Sequence, residues 1–186
     1  MNRIQSFQAI TEEEKIEKEL FLNWIEEEPK ILFRECQRAH ISSSSIIFNK
    51  DYTKILMIYH NIFKSWSIPG GHADGASDLL EIAKKEAFEE TGITDLTLMT
   101  DEIVSLDTMP VYAHYKNNKF VPAHLHLNAT FAFVADEKQS LILNEEETGG
   151  VAWILIEEIA DYCNEPPILE IYLKTIEKVK NTILLK

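Results

Sequence analysis

Short runs of apolar and β-branched residues, separated by polar turns, recur through the middle and later parts of the chain. Such runs are typical of strands when turn-forming residues bound them. The pattern predicts strands at 41–48, 53–59, 66–68, 96–99, 103–115, 125–135 and 151–155. The polar run YKNNKF predicts a hairpin turn between the two longest of these, so this section of the sheet should be antiparallel.

Helical spacing of apolar residues marks both ends of the chain. Near the start, Thr11 is a candidate N-cap with Glu14 at the capping-box position, and apolar spacing continues up to Pro29. A second helical piece is predicted at about 30–39. Toward the end, the pattern predicts a short helix at 156–162, a break at the prolines 166–167 and an amphipathic helix at 168–180.

A further helix is predicted between residues 78 and 91, directly after a glycine-rich turn. Asp78 is a candidate N-cap with Glu81 three residues later, and Gly92 can supply a left-handed C-cap. Residues 69–71, with the sequence PGG, should form a loop, because Pro lacks a backbone donor and glycines admit positive φ.

The predicted helix carries carboxylates on its apolar face. At 3.6 residues per turn, three apolar residues and three glutamates form one stripe: Leu79, Ile82, Ala83, Glu86, Glu89 and Glu90. The carboxylates repel one another and oppose the helix dipole. Lys84 and Lys85 are not expected to project from this stripe, so a hard divalent cation is the better counter-charge. The pattern therefore predicts a magnesium-type site.

The loop and helix together resemble the signature of the Nudix hydrolase family, which reads G, five residues, E, seven residues, R-E-U-x-E-E-x-G-U, with U an aliphatic residue. The spacing fits without a gap, and most positions match: Gly71, Glu86, Ala87, Glu89, Glu90, Gly92 and Ile93. Two positions depart, because Ser77 replaces the first glutamate and Lys85 replaces the arginine. A motif of this length is far more specific than a short glycine motif.

The resemblance implies an α/β (α+β) fold, namely an α/β/α sandwich with a mixed β-sheet. It also implies hydrolysis of a diphosphate linkage in a nucleoside diphosphate derivative or a similar small phosphorylated metabolite, with Mg²⁺ or Mn²⁺ as cofactor. The implied metal ligands are the Gly70 carbonyl and the carboxylates of Glu86, Glu89 and Glu90. Gly71, Lys85 and Gly92 are expected to support the site.

Two questions stay open at this point. The general base is either Glu86 or a glutamate of the acidic loop 145–147, where Glu146 is favoured because in the family such a glutamate often precedes a tryptophan-bearing strand. Ser77 and Lys85 also leave room for a non-catalytic module that binds a nucleotide or diphosphate. A diphosphate isomerase shares the fold, although no feature of the sequence favours that activity.

Three histidines are candidates for contact with the substrate. His72 follows the glycine loop, and His124 and His126 alternate with leucines, so both imidazoles should point to one face of a strand. Zinc binding is not favoured there, because no third ligand has suitable spacing. The GGHADG loop and the PAHLH strand together resemble a bacterial subgroup of the family.

Length and charge set the remaining expectations. A chain of 186 residues with 45% hydrophobic content suits one domain, so we expect a helical extension at 1–39 and the Nudix domain at 40–186. A net charge of −13 argues against nucleic acid polymers and anionic membranes as partners. The N-terminus lacks an apolar signal region, so a soluble cytoplasmic protein is expected. The N-terminal apolar stripe should pack on the sheet or in a homodimer, and both cysteines should be buried thiols.

Overall fold

The computed structural model describes residues 1–116, 118–144 and 148–184. Its ten strands are β1 (Ala39–Asn49), β2 (Lys54–His60), β3 (Ser65–Ser67), β4 (Gly70–His72), β5 (Thr97–Leu98), β6 (Ser105–Val111), β7 (His114–Lys116), β8 (Lys119–Val121), β9 (His124–Ala135) and β10 (Thr148–Leu155). Eight of them form one sheet with the central order β10-β2-β1-β9-β5, in which β3 pairs with β2, β4 with β1 and β6 with β9. The strands β7 and β8 form a separate hairpin.

The sheet is mixed, as expected. Strand β1 runs parallel to β9 with His40 opposite His126, whereas β6 runs antiparallel to β9, as predicted. The predicted strand 103–115 is divided, because the chain leaves the sheet after Val111 and pairs again in the β7–β8 hairpin. Pro122 lies between β8 and β9, where a residue without a backbone N–H cannot continue the hydrogen-bonded ladder.

The N-terminal helices are α1 (Asn2–Ser6) and α2 (Glu12–Glu27). The predicted capping box is present, since the Thr11 side chain accepts from the Glu14 backbone and the Glu14 side chain accepts from the Thr11 backbone. The helical piece predicted at 30–39 is wrong. Residues 30–35 form turns, and strand β1 already begins at Ala39. These turns allow both Ile31 and Cys36 to be buried in the core.

The remaining helices are α3 (Leu79–Thr91), α4 (Ile159–Tyr162) and α5 (Pro166–Val179), with a 3₁₀ turn at Ile156–Glu158 and a π-helical turn at Lys180–Leu184. The two prolines do not break the chain before α5 but form its first turn. Proline suits this place because its φ is already helical and its missing N–H has no partner there. No helix in the described ranges is long and apolar enough to span a bilayer.

The core has one part on each face of the sheet, because neighbouring residues of a strand point to opposite sides. Ile47 of β1 packs with Ala83 and Ala87 of α3 on one face, while Ile46 packs with Ile176 of α5 on the other. The predicted α/β/α sandwich is therefore confirmed. The part on the α3 side also includes residues of the N-terminal segment, namely Ile4, Phe7 and Phe21.

Candidate active site

Helix α3 ends as predicted, but its start differs in one respect. Gly92 adopts a left-handed conformation with φ 72°, and its N–H donates to the carbonyl of Phe88 at 2.8 Å. Asp78 occupies the N-cap without capping the helix through its side chain. The Asp78 carboxylate instead accepts from Arg3 at 3.4 Å. The glycine C-cap fixes where the glutamate-bearing turns finish.

The glutamates of α3 are held at the preceding loop. Glu90 is buried, with 5% of its surface exposed, and its Oε2 accepts from the backbone N–H of Gly70 at 2.9 Å. Glu86 lies against Gly71 so closely that a Cβ built on that glycine would be 2.3 Å from the Glu86 Cδ. Glu89 is more open, with 47% of its side chain exposed. The loop and helix therefore form one compact unit in which only glycine fits at position 71.

Lys85 contacts this unit, contrary to the expectation that it projects away from the carboxylates. Its Nζ donates to Glu89 Oε2 at 2.8 Å and to Glu86 Oε1 at 3.3 Å. The hydrogen bond to Glu89 is the largest of the effects that raise the pKa of Lys85. A long, flexible side chain can reach sideways to a neighbouring stripe, which a helical projection does not capture.

The chemistry of this unit fits a hard divalent cation. The carboxylates of Glu86 and Glu90 meet the Gly70–Gly71 loop, Glu89 is joined to Glu86 through Lys85, and oxygen ligands of this kind are what Mg²⁺ and Mn²⁺ prefer. Lys85 pairs with Glu86 and Glu89 and so offsets part of the negative charge. Ser77, which replaces the first glutamate of the signature, is exposed and brings no carboxylate. Glu146 and its neighbours at 145–147 lie outside the described residues.

A cavity of about 460 Å³ adjoins the Gly70–Gly71 loop. Its floor is polar: the Oδ1 atom of Asn128 accepts from the hydroxyls of Ser42 at 3.0 Å and Ser44 at 2.9 Å. The β7–β8 hairpin contributes Lys116, Lys119 and Phe120 to its rim. The cavity is therefore large enough for a small phosphorylated molecule, and it borders the Gly70–Gly71 loop on which Glu86 and Glu90 are held.

The three predicted histidines meet in this cavity, together with His40, which sequence reasoning missed. Nε2 of His126 lies 3.2 Å from Nε2 of His72 and 3.3 Å from Nε2 of His124. A ring nitrogen of His40 lies within 4.8 Å of those of His124 and His126. The expectation that no third ligand accompanies His124 and His126 is therefore wrong. The strand register supplies it, because His40 lies directly opposite His126.

Burial keeps most of this histidine cluster (His40, His72, His124 and His126) neutral. Desolvation lowers the pKa of His40, lowers that of His72 to about 3 and lowers that of His126 well below 6.5. Beside the cluster, Arg34 forms a two-pronged ion pair with Asp74 at 2.7 and 2.6 Å. The hydrogen bond from Arg34 lowers the pKa of Asp74.

A carboxylate that no sequence motif indicates lines the cavity. Glu165 precedes α5 and contributes to the cavity wall. Burial raises the pKa of its carboxyl group. Only the tertiary structure brings this residue to the cavity, because its neighbours in sequence match no motif.

The model of the NUDIX domain matches residues 38–176, which is most of the chain. The chain belongs to the Nudix family. A comparison with proteins of curated function found no significant match. The family assignment supports a pyrophosphohydrolase enzyme.

Solved structures share the fold at low sequence identity. An Ap4A hydrolase from C. elegans is 16% identical with a TM-score of 0.58, over 78% of this chain and 98% of that chain. The Nudix hydrolase RenU from M. smegmatis is 16% identical with a TM-score of 0.57, over 77% and 87%. A MutT protein from Methanosarcina mazei Go1 is 18% identical with a TM-score of 0.54, over 78% and 96%.

Proposed function

We propose that this protein is a metal-dependent hydrolase that cleaves a diphosphate linkage in a nucleoside diphosphate derivative or a similar small phosphorylated metabolite. The observation that carries the proposal is the contact between the signature loop and the signature helix. Glu90 accepts a hydrogen bond from the Gly70 N–H, and Glu86 packs against Gly71. The Gly70–Gly71 loop that holds these carboxylates borders a cavity of suitable size.

The residues that would hold Mg²⁺ or Mn²⁺ are the Gly70 carbonyl and the carboxylates of Glu86, Glu89 and Glu90. When bound, the metal supplies Lewis-acid chemistry, because it neutralises diphosphate oxygens and lowers the pKa of a bound water. The Gly70–Glu90 hydrogen bond fixes the peptide plane beside one carboxylate. Lys85 orients Glu86 and Glu89 from the side.

The proton of the attacking water is accepted by a glutamate. Glu86 is one candidate, because its carboxyl group is held against the loop that borders the cavity. Glu146 of the loop 145–147 is the other candidate. A general base must lie within hydrogen-bond reach of the water that it activates, so at most one of them acts in this way.

The group attached to the diphosphate is proposed to occupy the part of the cavity lined by His72, His124 and His126. The cations Arg34, Lys116 and Lys119 also line the cavity and suit an anionic substrate in an otherwise acidic protein. We further propose that residues 1–39 are a helical extension of the Nudix domain at 40–186. The GGHADG loop and the PAHLH strand are proposed to mark a bacterial subgroup of the family. The protein is proposed to act in the cytoplasm on small molecules, as a monomer or homodimer.

The test combines metal binding with turnover in the variant Glu90→Gln. Magnesium or manganese should raise the melting temperature of the wild type and should be required for release of phosphate or nucleotide. Loss of the buried carboxylate should remove most of both effects. The matched control is Glu81→Gln, on the same helix but paired with Lys84 on the surface, and it should behave as the wild type.

Suitable substrates for this assay are nucleotide sugars, dinucleoside polyphosphates, NADH, ADP-ribose and nucleoside triphosphates, because each contains a diphosphate linkage. Unchanged metal-dependent stabilisation in Glu90→Gln would place the metal elsewhere. Metal binding without turnover on any member of this panel would favour the non-catalytic binding module. A product with the same mass as the substrate would point to an isomerase.

A further inference from the structure

The histidine cluster differs from an ordinary group of packed imidazoles in how closely its nitrogen atoms approach. The ring centroids of His40 lie 4.9, 4.7 and 4.9 Å from those of His72, His124 and His126. The Nε2 atom of His126 is within 3.3 Å of Nε2 in two other rings. Ring nitrogens of His40, His124 and His126 lie within 4.8 Å of one another on the strands β1 and β9, and His72 of β4 adjoins this group through His126.

Two of these rings have a fixed tautomer. Nδ1 of His124 lies 2.8 Å from the carbonyl of Pro122, and Nδ1 of His40 lies 3.2 Å from the carbonyl of Cys36. A carbonyl oxygen can only accept, so each Nδ1 carries the hydrogen and donates it. A neutral imidazole has one N–H, which leaves Nε2 of both rings with a bare lone pair.

Hydrogen bonding within the cluster does not satisfy all of these lone pairs. Nε2 of His126 can donate one proton or accept one, but it has two Nε2 neighbours. If Nε2 of His126 donates its hydrogen to His124, it has no lone pair with which to accept from His72. If it accepts from His72 instead, its lone pair lies against the lone pair of His124. Nε2 of His40 is buried without a hydrogen-bond partner in the part of the chain that the structure describes. Such orphaned polar atoms are costly unless something else binds them.

We propose that the histidine cluster is a binding site for a borderline transition-metal ion, with Zn²⁺ as the expected occupant and ring nitrogens of His40, His124 and His126 as ligands. One ion among these three rings accepts their lone pairs, so Nε2 of His126 no longer has to serve two Nε2 neighbours. In a tetrahedral site with Zn–N bonds of about 2.0–2.1 Å, neighbouring nitrogens are about 3.3 Å apart. The Nε2 separation of His124 and His126, 3.3 Å, matches that edge.

The supporting contacts are those of a built metal site. In known sites, a ligating histidine donates its other N–H to a carbonyl or carboxylate, which fixes the ring and its tautomer. Cys36 and Pro122 provide such carbonyls here. His40 is itself buried, with 5% of its surface exposed, so its ring is held by packing as well.

This site is distinct from the carboxylate site at the signature helix. All of its proposed ligands are imidazole nitrogens, which suit Zn²⁺, Cu²⁺, Ni²⁺ or Fe²⁺, whereas the glutamates offer oxygens that suit Mg²⁺ and Mn²⁺. The two sites are close in sequence at one place only, because His72, which adjoins the proposed ligands, ends the strand that begins with Gly70. Binding at the histidine cluster does not depend on the proposed hydrolase activity.

The experiment uses the tag-free, metal-stripped full chain in excess Mg²⁺, so that the carboxylates are occupied. Titration with Zn²⁺ by calorimetry should give one equivalent per chain. Titration with Co²⁺ should give the visible absorption of tetrahedral cobalt. The variants His124→Asn and His126→Asn should each weaken Zn²⁺ binding by more than about hundredfold, which exceeds the roughly 10–100-fold cost of losing a supporting partner.

The matched control is His114→Asn, a histidine that lines the same cavity but whose Nδ1 donates to the nearby Tyr112 carbonyl at 2.9 Å. It should bind Zn²⁺ as the wild type does. Retained Mg²⁺-dependent stabilisation shows that each variant is folded. The proposal is overturned if the wild type binds no Zn²⁺ in excess Mg²⁺, if the cluster variants bind it unchanged, or if Glu90→Gln abolishes it. The first of these results would leave a hydrogen-bonded histidine network.

Discussion

The candidate site has two chemically different sides, an acidic wall at the signature helix and a histidine wall in the cavity, and the chain assembles them in different ways. The acidic wall takes Glu86, Glu89 and Glu90 from one helix, together with the loop that directly precedes it. The histidine wall takes its four rings from β1, β4 and β9. The acidic wall is therefore a local structure, fixed by helical spacing and the Gly92 C-cap. The histidine wall exists only when strand pairing is correct, because His40 reaches His126 through the parallel register.

This difference decides what each wall can do. The acidic wall contains negatively charged carboxylates with hard oxygen atoms. These carboxylates would repel an anionic diphosphate unless a cation lay between them. In the histidine wall, burial lowers the pKa of His40 and His126, and Nε2 of His40 is buried without a hydrogen-bond partner among the described residues.

The largest expected effect concerns the base on the acidic side. Replacing Glu86 with Gln should lower kcat by about 10²–10⁴-fold if Glu86 accepts the proton, as is typical when a general base is removed. The comparison is a triple variant in which Glu145, Glu146 and Glu147 become Gln. Single-turnover rates on the substrate found by the panel separate the two. A triple variant that keeps the full rate would assign the base to Glu86, whereas one that loses turnover but keeps metal-dependent stabilisation would assign it to the 145–147 loop.

A smaller effect is expected when the contact between loop and helix is crowded. In Gly71→Ala, the new Cβ would be 2.3 Å from Glu86 Cδ, so the carboxyl group must move. Overpacking of this kind costs roughly 1–3 kcal/mol, which corresponds to about a ten- to hundredfold loss if it falls on the transition state.

The control for this crowding is Gly150→Ala, where the nearest atom is a Trp66 ring carbon at 3.1 Å, away from the glutamates. It should alter kcat/KM little. Zn²⁺ binding to the histidine wall should persist in Gly71→Ala, because none of its proposed ligands moves. Equal losses of kcat/KM in both glycine variants would mean that position 71 has no special role in holding Glu86.

The sequence was most informative where structure is local. The α3 boundaries, the Gly92 cap and the placement of Glu86 and Glu90 toward the loop follow from spacing within about a dozen residues. Strand positions also followed from alternation, whereas the division of 103–115 into β6 and β7 did not. The division depends on which strand each part pairs with, since β6 pairs with β9 and β7 pairs with β8. The pattern of apolar residues along the chain does not contain this information.

The sequence predictions that were wrong share one physical cause, because each depends on contacts that the spacing of residues along the chain does not show. His40 is an isolated histidine beside an apolar strand, and no spacing rule connects it to a residue on a distant strand. The turns at 30–35 replace a predicted helix because Ile31 and Cys36 are both buried. Lys85 reaches Glu86 and Glu89 because its long side chain bends to paired charges.

The smallest expected effect concerns the two departures from the family signature. Lys85 already donates to Glu89 at 2.8 Å and to Glu86 at 3.3 Å with a single ammonium group. Arginine would present a planar fork that can bind a carboxylate through two parallel hydrogen bonds, which lysine cannot do. The glutamate absent at position 77 removes a negative charge that such a fork could also engage. We therefore expect turnover to have been tuned at both positions together.

Turnover of Lys85→Arg, Ser77→Glu and the double variant tests this coupling, with Lys84→Arg as the control because Lys84 pairs with Glu81 on the surface. The double variant should gain about tenfold in kcat, close to 1.4 kcal/mol of transition-state stabilisation, and more than the two single changes combined. Lys84→Arg should leave kcat unchanged. Strict additivity would show that Ser77 and Lys85 act independently, and an unchanged rate in all variants would show that one ammonium group already positions Glu86 and Glu89 as well as a guanidinium does.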